Sequence, residues 1–149
     1  MIKRAKLSHP TQTFHHIHEN DFSVLSGGGG FDMTLVLGIL HLHETWRETI
    51  AVAWKYTSST LVLDLRETFE KTIEDKSKSY FGMDINGVNA DYSDVLPYNI
   101  INAGEALAEI YTNCDGASKI SHFGYMQKPS NTTVTPIKNI FANVYCVEK

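Results

Sequence analysis

Two apolar runs and one apolar stripe lie at the centre of the chain. Met33–Leu37 is a continuous apolar run, typical of a strand buried on both faces of a parallel sheet, and Thr60–Leu65 is a second run, rich in leucine and β-branched residues. Between them lies a stripe at helical spacing, formed by Trp46, Ile50, Ala53 and Trp54. A strand, a helix and a strand in this order predict a right-handed βαβ unit with adjacent, parallel strands.

The last third of the sequence predicts one more helix and two more strands. Asn102 with Glu105 resembles a capping box, which would begin the helix. The predicted apolar stripe of that helix is Ala103, Leu107, Ile110 and Tyr111. Lys119–Met126 and Ile140–Val147 then have the patterns of strands. We expect both to lie beside the second central strand, with the final strand antiparallel.

The remaining segments have weaker patterns. Ile2–Ser8 is typical of the end of an amphipathic helix, and Thr13–Glu19 alternates well enough for a strand. Ser26–Gly30 is predicted to be a flexible linker. Glu67–Lys76 is interpreted as a helix, followed by a connection that extends to Pro97. A connection this long is usually functional or disordered.

Composition limits the classes of partner. The 149 residues are 42% hydrophobic and 20% charged, an ordinary globular composition. A net charge of −4 argues against nucleic acid, because no basic stripe is available for phosphates. Cys114 and Cys146 have no zinc spacing and indicate reduced thiols. No apolar run is long enough to span a membrane. We therefore expect a cytoplasmic protein without nucleic-acid or membrane partners.

The central segment FDMTLVLGILHLHETWRE resembles the fourth-strand region of class I S-adenosylmethionine-dependent methyltransferases. In that family, "FD" begins the strand and an "LG(V/I)LHH" sequence follows. Upstream, Phe14–Phe22 is similar to the third strand, and the two final strands are similar to the family's C-terminal pair. The resemblance implies an α/β, Rossmann-like methyltransferase sheet, truncated, with parallel central strands and an antiparallel C-terminal strand. It also implies methyl transfer to an unknown small-molecule or macromolecular acceptor. Insertions after the second central strand commonly help to cover the substrate in this family, and the aromatic residues suited to such a cover here are Tyr80, Phe81, Tyr92 and Tyr98.

The resemblance covers only the second half of the family's domain. The sequence contains no E-x-G-x-G-x-G loop, which in the family holds the methionine end of the cofactor. We therefore expect one partial domain over 1–149, and weak or absent S-adenosylmethionine binding by this chain alone. Its parts are the third-strand region with the glycine linker (1–30), the central strand-helix-strand (31–66), an insertion (67–98), and the final helix with its strand pair (99–149).

The resemblance also implies where the cofactor would lie. Asp21 corresponds to the acid that faces the adenine amine, and Phe22 follows it as a ring neighbour. Leu37 and Gly38 correspond to the end of the fourth strand, with His41 just beyond. A carboxylate accepts hydrogen bonds from an exocyclic amine, and a small residue permits close approach. The catalytic base is left open; the candidates by residue type are His41, His43 and His122.

Two other functions compete with the methyltransferase interpretation. One is metal binding by two histidine clusters, which comprise His15, His16 and His18, and then His41 and His43. The other is a non-enzymatic, self-associating remnant of a methyltransferase domain. The run Met33–Leu37 contains no proline or lysine that would block pairing with another chain. A homo-oligomer formed through this open sheet edge is therefore expected.

Overall fold

A computed structural model of the chain describes residues 2–15, 17, 22–25, 30–82 and 95–149. Three α-helices and eight strands occur in these ranges. The helices are α1 (Ile2–Ser8), α2 (Trp46–Tyr56) and α3 (Ala103–Asn113). The strands are β1 (Phe31–Val36), β2 (Thr57–Thr68), β3 (Tyr80–Phe81), β4 (Leu96–Pro97), β5 (Ile101–Asn102), β6 (Lys119–Gln127), β7 (Thr133–Val134) and β8 (Ile140–Glu148). Short 3-10 turns lie at Ser23–Leu25 and Leu40–Leu42.

A five-stranded mixed sheet forms the centre of the molecule. Its order is β1-β2-β8-β6, and β5 pairs with the end of β2. β1 and β2 are parallel neighbours, with Leu35 opposite Val62. β8 runs antiparallel to both β2 and β6. The predicted βαβ pairing and the antiparallel position of the final strand are therefore confirmed.

β2 is longer than the sequence pattern predicts. It continues through Glu67 and Thr68 because β8 pairs along its length, from Thr60 opposite Glu148 to Glu67 opposite Phe141. The helix predicted over Glu67–Lys76 is therefore wrong. After β2, the chain turns, and the next contact is an isolated bridge between Ile73 and Ile100.

The connection after β2 belongs to a second, smaller sheet. Its order is β4-β3-β7, with antiparallel pairs. Beneath it lies a separate apolar cluster, formed by Tyr98, Ile100, Ile137 and Ile140. Residues 83–94, including Tyr92 of the predicted substrate cover, lie outside the described residues.

The main core lies between the sheet and helices α2 and α3. Trp46, Ile50 and Trp54 are buried, as the stripe on α2 predicts. They pack in one cluster with Leu61 and Leu63 of β2. Burial of one such side chain contributes about 1.5–3 kcal/mol, so this stripe is sufficient to fix α2 on the sheet.

Helix α3 begins where the sequence predicts but faces the core with other residues. The side chain of Asn102 accepts hydrogen bonds from the Gly104 and Glu105 amides, which confirms the N-cap. Ile110 is buried as predicted, whereas Leu107 is exposed. The buried positions are Ala106, Ile110 and Cys114, and Tyr111 is exposed with Leu107. The small side chain of Ala106 permits close approach to β2, and an ion pair between Arg47 and Glu109 orients the helix against α2.

The face of the sheet opposite α2 and α3 carries exposed apolar side chains on β1, β8 and β6. Met33 and Leu35 of β1 are each 59% exposed, so the prediction that β1 is buried on both faces is wrong. The register places Val62, Val144 and Phe123 on the same face. β1 is an edge strand, and among the described strands it pairs only with β2.

The N-terminal residues add one helix and little burial. α1 coincides with the helix predicted over Ile2–Ser8, and none of its residues is buried. Residues 13–15 and Ile17 are not in a strand, contrary to the prediction for Thr13–Glu19. His16, residues 18–21 and most of the glycine linker (26–29) lie outside the described residues. Within the described ranges, no helix combines the length and apolarity needed to cross a membrane.

Candidate functional site

The carboxyl ends of β1 and β2 form a polar edge of the sheet. In sheets with parallel strands, ligands bind beyond these ends. Leu37 follows β1 and is half exposed. Gly38 has a φ of 73°, a left-handed conformation that favours glycine, and a Cβ placed on it would meet nothing within 4 Å. The backbone at the end of β1 therefore faces open space that a ligand can approach closely.

Asp64 and Arg66 of β2 fix this strand end. The Gly38 amide donates to Asp64 Oδ1 over 2.6 Å, and Arg66 Nη1 donates to Asp64 Oδ2 over 2.7 Å. Asp64 is buried, and only a small part of the Arg66 side chain is exposed. A charge-assisted bond to a backbone amide holds the turn after β1 in one geometry. The sequence resemblance did not indicate this pair, although Asp64 interrupts the apolar run of β2 and such a carboxylate can mark a functional position.

His41 is a buried histidine beside this edge. Its Nδ1 has no hydrogen-bond partner among the described residues. Burial, and then the nearby charge of Arg66, lower the pKa of His41 to about 4, and the charge of Asp64 opposes this shift. The ring of Tyr98 contacts it edge-on, with 5.1 Å between the ring centroids. His41 is therefore neutral at pH 7, and its buried Nδ1 has unused hydrogen-bonding capacity.

An apolar groove of about 200 Å³ lies along β1. Phe22 lines it together with Phe31, Leu35 and Ile39, and residues of α2 close the other side. Leu37, Gly38 and His41 are thus brought together after β1, and Phe22 flanks the strand. Asp21 lies outside the described residues.

The other histidine predictions do not converge on this edge. His43 is exposed, and His122 lies on β6, three strands away from β1. In the described part of the chain, no group of three or more His, Cys, Asp or Glu side chains could hold a metal ion. His16 and His18 of the proposed metal clusters lie outside that part.

Comparison with known proteins finds a likeness in structure but none in sequence. No protein-family model and no curated protein matches the chain. Among solved structures, the chain is similar to the N-terminal domain of EvdMO1 with SAH bound, with a TM-score of 0.52 and 14% sequence identity. The match covers 88% of this chain and 50% of that chain. The chain therefore spans about half the length of that domain and shares its mixed α/β fold.

Proposed function

We propose that this chain contributes to an S-adenosylmethionine-dependent methyltransferase domain, with the carboxyl end of β1 beside the cofactor. The observation that carries the proposal is the position of β8, which runs antiparallel between β2 and β6. A Rossmann sheet of the dehydrogenase type would continue with parallel strands here. The likeness to a domain with SAH bound supports the proposal, as does the sequence around β1.

The described residues fit one end of such a cofactor. The open space at Gly38 permits close approach to the backbone of Leu37 and Gly38. The apolar groove at Phe22 has room for a flat ring. The bound cofactor would supply a methyl group on a sulfonium. Since a pKa of about 4 makes His41 a weak base at neutral pH, its role is to hydrogen-bond a ligand rather than to take its proton. The methyl acceptor and the catalytic base stay unassigned.

Titration with S-adenosylhomocysteine, followed by amide NMR of this chain, tests the proposal. We expect saturable shifts at Leu37, Gly38 and His41, with a Kd weaker than micromolar. The affinity is low because the sequence lacks the glycine loop that would hold the charged methionine end. Each such charge-assisted bond contributes roughly 1.5–3 kcal/mol. Micromolar binding would contradict the expected weak affinity, and unchanged amides after β1 would contradict the function.

Two glycines provide a matched pair of variants. Gly38 and Gly116 have φ values of 73° and 75°, and a Cβ would meet nothing within 4 Å at either position. Alanine is strained in this left-handed backbone conformation. Replacement of either glycine by alanine should therefore lower the free energy of unfolding by about 1–2 kcal/mol. Only Gly38→Ala should also weaken S-adenosylhomocysteine binding. Equal weakening by Gly116→Ala would mean that the effect is one of stability.

A non-enzymatic, self-associating domain is the second candidate function. The exposed apolar residues of β1 favour it. Self-association without any shift at Leu37 and Gly38 in the same titration would support this second candidate instead of the first.

A further inference from the structure

A buried polar cluster lies on the helix-covered face of the sheet, away from β1. Glu67 is 2% exposed, and its two carboxylate oxygens accept from different donors. Tyr145 Oη donates to Oε1 over 2.6 Å, and Asn143 Nδ2 donates to Oε2 over 3.0 Å. His122 stacks on the ring of Tyr145, with 5.3 Å between centroids. The cluster is therefore a connected network with one buried carboxylate at its base.

The Asn143 amide connects His122 to this network. Nδ2 of Asn143 lies 3.0 Å from Glu67 Oε2 and 3.2 Å from Tyr145 Oη. Nδ2 and Oδ1 of Asn143 also lie 3.2 and 3.3 Å from His122 Nδ1, so the amide can pair with this nitrogen in either tautomer of the ring. His122 therefore joins the side chains of Glu67, Asn143 and Tyr145 in one polar cluster.

Glu67, His122 and Asn143 of this cluster line a cavity of about 180 Å³. Its walls include Phe69 and Phe141, whose rings lie 4.8 Å apart between centroids. Gly124 lies opposite Asn143, and a Cβ at that position would come within 2.6 Å of Asn143 Oδ1. A glycine is therefore required for the amide to take its place at the base of the cavity.

Glu67 gives the cavity a buried hydrogen-bond acceptor, whose free lone pairs require a donor. Burial raises the pKa of Glu67, whereas the hydrogen bonds from Tyr145 and Asn143 favour its ionised form. A cation beside Glu67 would favour the ionised form further, and the aromatic walls favour an apolar body or a cation against their faces. We infer that this cavity binds a small amine that carries one apolar ring.

This site is distinct from the one at β1. β1 and β6 are at opposite edges of the path β1-β2-β8-β6, and three strand spacings amount to about 14 Å. The amine site therefore does not depend on the proposed methyltransferase function, and either can fail without the other.

Calorimetric or NMR titration with benzylamine, benzyl alcohol and benzoate tests the ligand class. We expect benzylamine to bind at least tenfold more tightly than benzyl alcohol, with amide shifts at His122 and Gly124. Benzoate should not bind, because its charge opposes that of Glu67. Equal affinity for benzyl alcohol or benzoate would overturn the inference, and so would the lack of saturable benzylamine binding.

Two exposed phenylalanines give a matched pair of variants. Phe69, in the cavity wall, is 78% exposed, and Phe123, on the open face of the sheet, is 76% exposed. Neither replacement by alanine empties a core, so both variants should fold. We expect Phe69→Ala to weaken benzylamine binding at least threefold and Phe123→Ala to leave it unchanged. An equal effect of the two variants, or none from Phe69→Ala, would overturn the inference.

Discussion

At the scale of single residues, His41 couples the candidate site to stability. Its pKa is lowered from 6.5 to about 4, first by burial and then by Arg66. The folded state therefore favours the neutral ring, while the unfolded chain takes up a proton near pH 6.5. The folded state is therefore stabilised by the neutral His41 ring. This contribution to the free energy of unfolding is fully present above pH 6.5 and is lost as the pH falls toward 4. A ligand that donates to Nδ1 would act on the same neutral form.

We predict that His41→Gln removes part of the acid sensitivity of folding. Between pH 7.5 and pH 5, the wild type should lose about 2 kcal/mol more of its free energy of unfolding than the variant does. Urea denaturation at both pH values measures this difference.

His43→Gln is the matched control for this prediction, since His43 lies two residues away and is exposed. It should retain the pH dependence of the wild type. If His41→Gln and the wild type lose the same free energy between the two pH values, the buried neutral ring is not the cause of the acid sensitivity.

Single residues were the least predictable part of the site. The sequence resemblance indicated Gly38 and His41, and the structure places both at the carboxyl end of β1. It did not indicate Asp64 or Arg66, because their role depends on a contact with the Gly38 amide 26 residues away along the chain. Pairings of this kind depend on strand register, which cannot be determined from a single sequence.

At the scale of elements, the N-terminus of α3 is fixed by its cap. Asn102 accepts from the amides of Gly104 and Glu105 at 3.0 and 3.3 Å. Its side-chain amide also donates to the Glu70 carbonyl over 2.9 Å, so the cap ties the helix to the connection after β2. Thr72 also belongs to this junction. Its hydroxyl accepts a hydrogen bond from the backbone amide of Asn102 and donates one to the carboxylate of Glu105.

We predict that Asn102→Ala lowers the free energy of unfolding by about 1–2 kcal/mol, because two helix amides lose their acceptor. Chemical denaturation measures this loss. Asn102→Ser keeps an oxygen at the cap and should recover at least half of the loss. If serine and alanine are equally destabilising, the contact with Glu70 is the more important one.

Helices and strands were predictable where periodicity alone determines them. The stripe of α2 predicted its buried face because that helix packs directly on two long strands. The predicted apolar stripe of α3 was wrong at Leu107, which is exposed. A long-range ion pair between Arg47 and Glu109 helps to set the rotation of this helix. The helix expected after Leu65 failed for a similar reason. Pairing with β8 extends β2 through Glu67 and overrides local preference.

At the scale of the whole molecule, one edge of the main sheet is unpaired and one of its faces carries exposed apolar side chains. Among the described residues, β1 pairs only with β2. The exposed side chains of β1 lie on the same face as Val144 of β8 and Phe123 of β6. Strand edges of this kind pair readily with other chains. The apolar runs predicted the strands but not their exposure, because a run buried on both faces and an open apolar edge have the same sequence pattern.

We predict that two chains associate through β1 and build one continuous sheet. The alternative is that Thr13–Glu19 pairs with β1 of its own chain, but three histidines make this segment a poor central strand. Sedimentation velocity at micromolar concentration should show a dimer. Leu35→Lys should dissociate it, because lysine on an edge strand opposes pairing.

Tyr125→Lys is the matched control for this interface. Leu35 and Tyr125 are 59% and 57% exposed on the same face, but Tyr125 lies on β6 at the other edge. Dissociation by Leu35→Lys alone would locate the contact at β1. Dissociation by both variants would mean that the open face, rather than the edge, forms the interface. A monomeric wild type whose β1 amides are protected from hydrogen exchange would favour pairing within one chain and would refute self-association.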